Sequence, residues 1–147
     1  MPSTHTSLYF HLVFSTKNRA KLITEHLRND LYGYLGGIVK NLGGVAFVIG
    51  GIEDHVHILV GLNATHRLDH FMRELKASSS GWVRRELDPT FSWQNGYGAF
   101  TVSAGNLERV KNYIRNQEAH HQGKDFQTEY VELLELGNVD YDEKYLW

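Results

Sequence analysis

The sequence predicts an α+β domain on the ferredoxin-like, split β-α-β plan: an antiparallel sheet with helices on one face, followed by two C-terminal helices. Three observations carry this expectation. Residues 7–14 alternate, with Leu8, Phe10, Leu12 and Phe14 on one face and Tyr9, His11 and Val13 on the other, the period of a half-buried strand. Residues 24–41 repeat Leu27, Leu31, Leu35 and Ile38 at helical spacing. Residues 50–61 alternate again between terminal glycines. Extended along the chain, the same reading gives the order β-α-β-β-α-β-α-α, whose first six elements are those of the split β-α-β unit.

The first strand leads into a polar, basic loop, and Thr24 is a suitable N-cap for the first helix. Gly33, Gly36 and Gly37 inside that helix cost about 1 kcal/mol each relative to alanine, so we expect them to allow close helix–sheet approach. Gly43 and Gly44 end the helix, and residues 45–49 form the second strand. The third strand carries His55 and His57, and Glu53 and Asp54 suit the turn before it. Thr65 is the expected cap of a second helix of about 20 residues, with Leu68, Met72, Leu75 and Trp82 as its apolar stripe. Asp88-Pro89 breaks it, an aromatic loop follows, and residues 97–103 form a fourth strand. A third helix is expected over 107–121 and a fourth from Asp125, a possible N-cap, to Gly137.

One domain accommodates the 147 residues. With no cysteine, neither a disulfide framework nor a thiolate metal site is available. No apolar run approaches a membrane span and the N-terminus lacks a secretory pattern, so a cytoplasmic protein is expected. The net charge of −2 is uneven: residues 1–124 carry +4 and residues 125–147 carry −6. Such asymmetry describes a mildly basic body with an acidic C-terminal segment. The ordinary reading of that segment is a solvated helix face.

His55 and His57 are the candidate metal pair, although many such pairs on a strand only pack or hydrogen-bond. Alternate residues of a strand share a face, with Cα atoms about 6.6 Å apart, so both imidazoles can lean onto one cation while Val56, Ile58 and Val60 anchor the opposite face. A histidine-triad hydrolase needs a third histidine two residues on, where Leu59 stands. In the third predicted helix, Tyr113 and Gln117 are four residues apart and therefore neighbours. A phenol there is an oxygen nucleophile and a carboxamide a neutral oxygen ligand.

Together these residues resemble the HUH endonucleases. His55-Val56-His57 is similar to their histidine–hydrophobic–histidine signature, and the run Tyr113 to Gln117 resembles the Tyr-x-x-x-Gln helix of the single-tyrosine transposases of the insertion-sequence two-hundred type. The first strand with its basic loop, and the tail from Tyr141 to Trp147, also resemble that family. The resemblance implies a transposase that cuts and rejoins single-stranded DNA through a 5′-phosphotyrosine, often beside hairpins at element ends. It implies Tyr113 as nucleophile and His55, His57 and Gln117 as ligands of Mg²⁺ or Mn²⁺. It also implies a homodimer in which the tyrosine helix of one subunit completes the site of the other. Gly105, just before that helix, is a candidate pivot, and an ordinary strand-to-helix turn explains it equally well. Lys17, Arg19, Arg73, Lys76, Arg84, Arg85, Lys111 and Arg115 are candidate DNA-backbone contacts. Trp93 and Tyr97 could stack on bases, although packing explains them as well. His11 is a candidate to support the metal pair from behind. His120 and His121 suit a helix C-terminus and are not read as ligands. Two competing readings are a non-cleaving nucleic-acid-binding module of the same fold and a phosphodiesterase using water.

Overall fold

The computed structural model describes residues 3–147. Its sheet is built from β1 (Leu8–Ser15), β2 (Val45–Ile52), β3 (His55–Leu62) and β4 (Gly98–Val102), all antiparallel, in the order β2-β3-β1-β4. That is the strand order of the ferredoxin-like plan, with β1 and β3 central. Helices α1 (Glu25–Asn41) and α2 (Leu68–Glu86) cover one face. Leu12, Phe14, Val56, Ile58 and Val60 project there against Leu27, Leu31, Leu35, Phe71, Met72 and Leu75 in the main core. Thr24 caps α1 as expected, its hydroxyl accepting from the Leu27 N–H at 3.3 Å.

The opposite face is covered by the C-terminal segment: α3 (Leu107–Arg115), the single turn α4 (Gln117–His120) and α5 (Phe126–Leu136). Val13 of β1 forms a second cluster there with Phe126, Tyr130 and Leu134. Asp125 caps α5, its carboxylate accepting from the Thr128 N–H at 2.9 Å. Gly50 makes the packing of α3 on β2 possible, because a Cβ at that position would lie 2.3 Å from the Ile114 carbonyl oxygen. Beside it Gly51 has φ +157°, and a Cβ there would lie 2.2 Å from the His55 carbonyl oxygen.

Several expectations are corrected. Thr65 does not cap α2: its N–H and hydroxyl both bind Asn63 Oδ1, at 3.1 and 2.5 Å. This local turn delays the helix to Leu68, with Arg67 at the cap position. Helix 107–121 is interrupted at Asn116, which has φ −97° and ψ 23°. Asparagine side chains compete with helical backbone bonding, and here the break separates the turn bearing Gln117 from α3. Glycines of α1 are not in tight contact: a Cβ on Gly33 or Gly37 would meet nothing within 4 Å, and one on Gly36 only Ile49 Cδ1 at 3.9 Å. Among the described residues no helix is long and apolar enough to cross a membrane.

Candidate active site

β-Pairing sets up the site. In the β1–β3 ladder Ser15 stands opposite His55 and Val13 opposite His57, so His11 is the diagonal neighbour of His57 on the same face, within side-chain reach. Its Nε2 lies 2.7 Å from His57 Nδ1, and the two rings stack with centroids 4.9 Å apart. His55 and His57 are fully buried beneath the C-terminal segment. One turn residue fixes the first of them: His55 Nδ1–H donates to Asp54 Oδ1 at 2.7 Å.

The covering segment brings Tyr113 and Gln117 to these histidines within one chain. Gln117 Oε1 lies 3.0 Å from His55 Nε2. The Tyr113 ring lies 5.7 Å from that of His57 and 6.0 Å from that of His11, centroid to centroid. Two further residues, not read as site members from the sequence, stand at the same point. Glu129 of α5, 1 % exposed, places Oε1 3.0 Å from His57 Nε2, 3.3 Å from His55 Nε2 and 3.0 Å from His121 Nε2. Its Oε2 accepts from the Tyr113 hydroxyl and, at 3.0 Å, from Gln117 Nε2. His121 also lies 3.0 Å from Gln117 Oε1, and its Nδ1–H donates to the Lys124 carbonyl at 2.5 Å. His120 stays at the margin, 3.5 Å from the tyrosine oxygen. The acidic C-terminal segment is therefore not a uniformly solvated face. No short-range signal marks Glu129, which lies twelve positions beyond Gln117, on a different helix.

Electrostatics follow from burial around one carboxylate. Burial pushes His57 down to about 4, against the attraction of Glu129. Burial and the neighbouring His57 hold His11 at about 3. His55 is raised to about 9: burial opposes the charge, but hydrogen bonds to Asp54 and Glu129 outweigh it. Burial alone would raise Glu129, yet its contacts with the imidazoles of His121, His55 and His57 hold it far below the usual carboxylate range. Burial and the Glu129 carboxylate push the Tyr113 phenol up, so its side chain rests as a neutral phenol.

The donor set fits a divalent cation. His55, His57, His121 and Glu129 each offer a ligand atom, and these lie within 4.8 Å of one another, with Gln117 Oε1 beside them. Buried among imidazoles, the Glu129 carboxylate has no Lys or Arg partner among the described residues, and a buried carboxylate requires a compensating charge.

The candidate DNA contacts divide. Lys17, Arg85 and Arg115 are exposed. Arg19 lies over the ring of Trp147 at 5.4 Å, and Trp147 lines a groove of about 500 Å³ together with Lys17 and Tyr97. Arg73 binds His70 and Glu74, and Lys111 binds Glu108. Lys76 donates to the carbonyls of Gln94 and Gly96 at 2.6 and 2.7 Å, and Arg84 to that of Phe91 at 3.2 Å; both brace the aromatic loop. Trp93 belongs to the core, its Nε1–H donating to Ser79 Oγ at 2.9 Å.

Comparisons with known proteins agree with this architecture. No curated protein matches the chain. Among solved structures, a candidate transposase from Deinococcus radiodurans R1 is 23 % identical, with TM-score 0.65 over 80 % of this chain and 96 % of that one. A REP-associated tyrosine transposase bound to a REP hairpin is 12 % identical, with TM-score 0.62 over 83 % of this chain and 75 % of that one. At these identities both show a shared fold. The IS200-like transposase family model matches residues 4–117, from the first strand through the tyrosine-bearing α3 to Gln117, and the chain belongs to that family.

Proposed function

We propose that the protein cuts and rejoins single-stranded DNA at the ends of an insertion element, using Tyr113 as nucleophile. The observation that carries this reading is the placement of the Tyr113 hydroxyl on the carboxylate that also touches His55 and His57. In the forward step the tyrosine oxygen attacks phosphorus and the P–O3′ bond breaks. The phenol gives up its proton, the leaving 3′ oxygen takes one up to become a free 3′-OH, and the 5′ phosphate remains on tyrosine. Reversal by another 3′-OH restores a phosphodiester and the phenol without an external energy source.

His55, His57 and Gln117 would hold Mg²⁺ or Mn²⁺, which supplies Lewis-acid neutralisation of the charge developing on the phosphate oxygens. Imidazole donors suit Mn²⁺ better than Mg²⁺. His11 positions the His57 ring, and Asp54 positions the ring of His55. Exposed Lys17, Arg85 and Arg115 are available to the DNA backbone, with Arg19 over the Trp147 ring. DNA with a hairpin is the proposed substrate class, in keeping with the hairpin-bound structural neighbour.

A divalent-metal-dependent covalent adduct with a single-stranded oligonucleotide is expected for the wild type and absent in Tyr113→Phe. If Tyr113→Phe cuts as well as the wild type, water is the nucleophile and the tyrosine mechanism fails. The homodimer with exchanged tyrosine helices would require α3 and α4 to leave the position they hold here. Mixing inactive Tyr113→Phe with inactive His57→Ala tests this: restored cleavage means sites shared between subunits, and continued inactivity means sites completed within one chain.

A further inference from the structure

We propose that Glu129 and His121 are ligands of the same divalent cation as His55 and His57, so that the C-terminal segment contributes two donors beyond the histidine pair and Gln117. The inference rests on the metal-site reading above and extends it to residues outside the span matched by the family model.

Donor and acceptor roles lead to it. Asp54 and the Lys124 carbonyl can only accept, so the protons of His55 and His121 sit on Nδ1. In their neutral forms both imidazoles then present bare Nε2 lone pairs to the site. Those lone pairs face further acceptors: Gln117 Oε1 at 3.0 Å from each, and Glu129 Oε1 at 3.3 and 3.0 Å. Acceptors confronting acceptors in a buried space need positive charge between them, supplied either by a proton on an imidazole in the metal-free protein or by a metal ion. A cation satisfies all of them at once, and the Nδ1 partners are the outer hydrogen bonds that orient metal-binding imidazoles.

The spacing agrees. Bonds of about 2.1 Å from imidazole or carboxylate to a first-row cation place neighbouring ligand atoms roughly 3 to 3.5 Å apart. Glu129 Oε1 lies 3.0–3.3 Å from three imidazole nitrogens. Three imidazoles and a carboxylate suit Mn²⁺ and later first-row ions over Mg²⁺. Because Glu129 Oε2 accepts from the Tyr113 hydroxyl, the same carboxylate would link the cation to the nucleophile.

Calorimetric titration of the metal-free full chain with Mn²⁺ tests the proposal. Glu129→Gln keeps the shape of the side chain, and it should weaken Mn²⁺ at least tenfold, as should His121→Asn. Mn²⁺ binding within twofold of wild type in both variants, with binding lost in His57→Ala, overturns the proposal and leaves the histidine-pair site standing. Unchanged binding in His57→Ala as well, or no binding by the wild type, removes the metal reading altogether. A gain in DNA cleavage by Glu129→Gln with unchanged Mn²⁺ affinity also overturns it, and would make the carboxylate a phosphate mimic. Should the variants fail to fold, electron-spin-echo spectroscopy of Mn²⁺ bound to the wild type counts the ligands directly: three imidazole nitrogens are expected, and two overturn the assignment.

Discussion

At the scale of single residues, the site depends on what is missing at Gly50. A Cβ there would lie 2.3 Å from the Ile114 carbonyl oxygen and 2.9 Å from its Cγ2, so a backbone, not a flexible side-chain tip, would have to move. Gly50→Ala is therefore expected to lift α3 and destabilise the protein by about 1–3 kcal/mol, the usual cost of overpacking. A melting temperature equal to wild type would show that α3 is not seated on β2. Gly105 makes the contrasting case. Nothing lies within 4 Å of the Cβ it would carry, its φ is not positive, and it sits exposed in a short 3-10 turn before α3. Gly105→Ala should change stability by no more than about 0.5 kcal/mol. If it abolishes cleavage while the melting temperature holds, Gly105 is a pivot for the tyrosine helix; if cleavage persists, the residue is an ordinary strand-to-helix connection.

At the scale of elements, α5 is the lid whose docking holds Glu129 in place. Phe126, 2 % exposed, stacks on the His55 ring with centroids 4.3 Å apart and touches Tyr130 and Trp147. Phe126→Ala should cost about 3–5 kcal/mol and weaken Mn²⁺ binding with it, whereas Asp125→Ala, which removes only the cap, should cost about 1 kcal/mol. Denaturant titrations of the two variants separate these cases, and equal small losses would mean that α5 is not packed on the sheet. The elements also show where the sequence was readable. Strands β1 and β3 were legible because each alternates between a core face and a site face, and α1 because its leucines recur at a fixed period beside a capping threonine. His55 and His57 were legible for the same reason: spacing along one strand fixes their relation without any tertiary knowledge. Tyr113 and Gln117 stand out only through the resemblance of their run to the family helix, because a tyrosine and a glutamine four apart are ordinary on a helix surface, and Asn116 breaks that helix between them. Glu129 and His121 were not legible. They reach the site because α4 and α5 fold back over the sheet, and no local period encodes that return. In the sequence His121 is an ordinary helix-end histidine and Glu129 one acid in an acidic face.

At the scale of the whole molecule, the buried histidines make metal-free stability depend on pH from two sides. His11 and His57 sit at about 3 and about 4 in the fold, against an ordinary value near 6.5. Below that ordinary value the unfolded chain takes up two protons that the folded chain refuses, so stability falls as pH drops from about 6.5 towards 4 and below. Glu129 adds to the acid side, because its depressed value contributes stability above the ordinary carboxylate range that is lost on acidification. His55 acts in the opposite sense. Raised to about 9 by Asp54 and Glu129, it contributes stability that is fully present below about 6.5 and is lost as pH rises through 9. The metal-free protein should therefore be most stable near neutrality and weaken on both flanks, by on the order of a few kcal/mol in total. Saturating Mn²⁺ should flatten the alkaline flank, since a ligating His55 is neutral and its proton no longer contributes. Melting temperatures measured from pH 4 to 10, with chelator and with Mn²⁺, give both curves. A metal-free profile that is level from pH 7 to 10 would mean that His55 does not carry the charge compensating Glu129, and that the buried carboxylate is neutralised by another group.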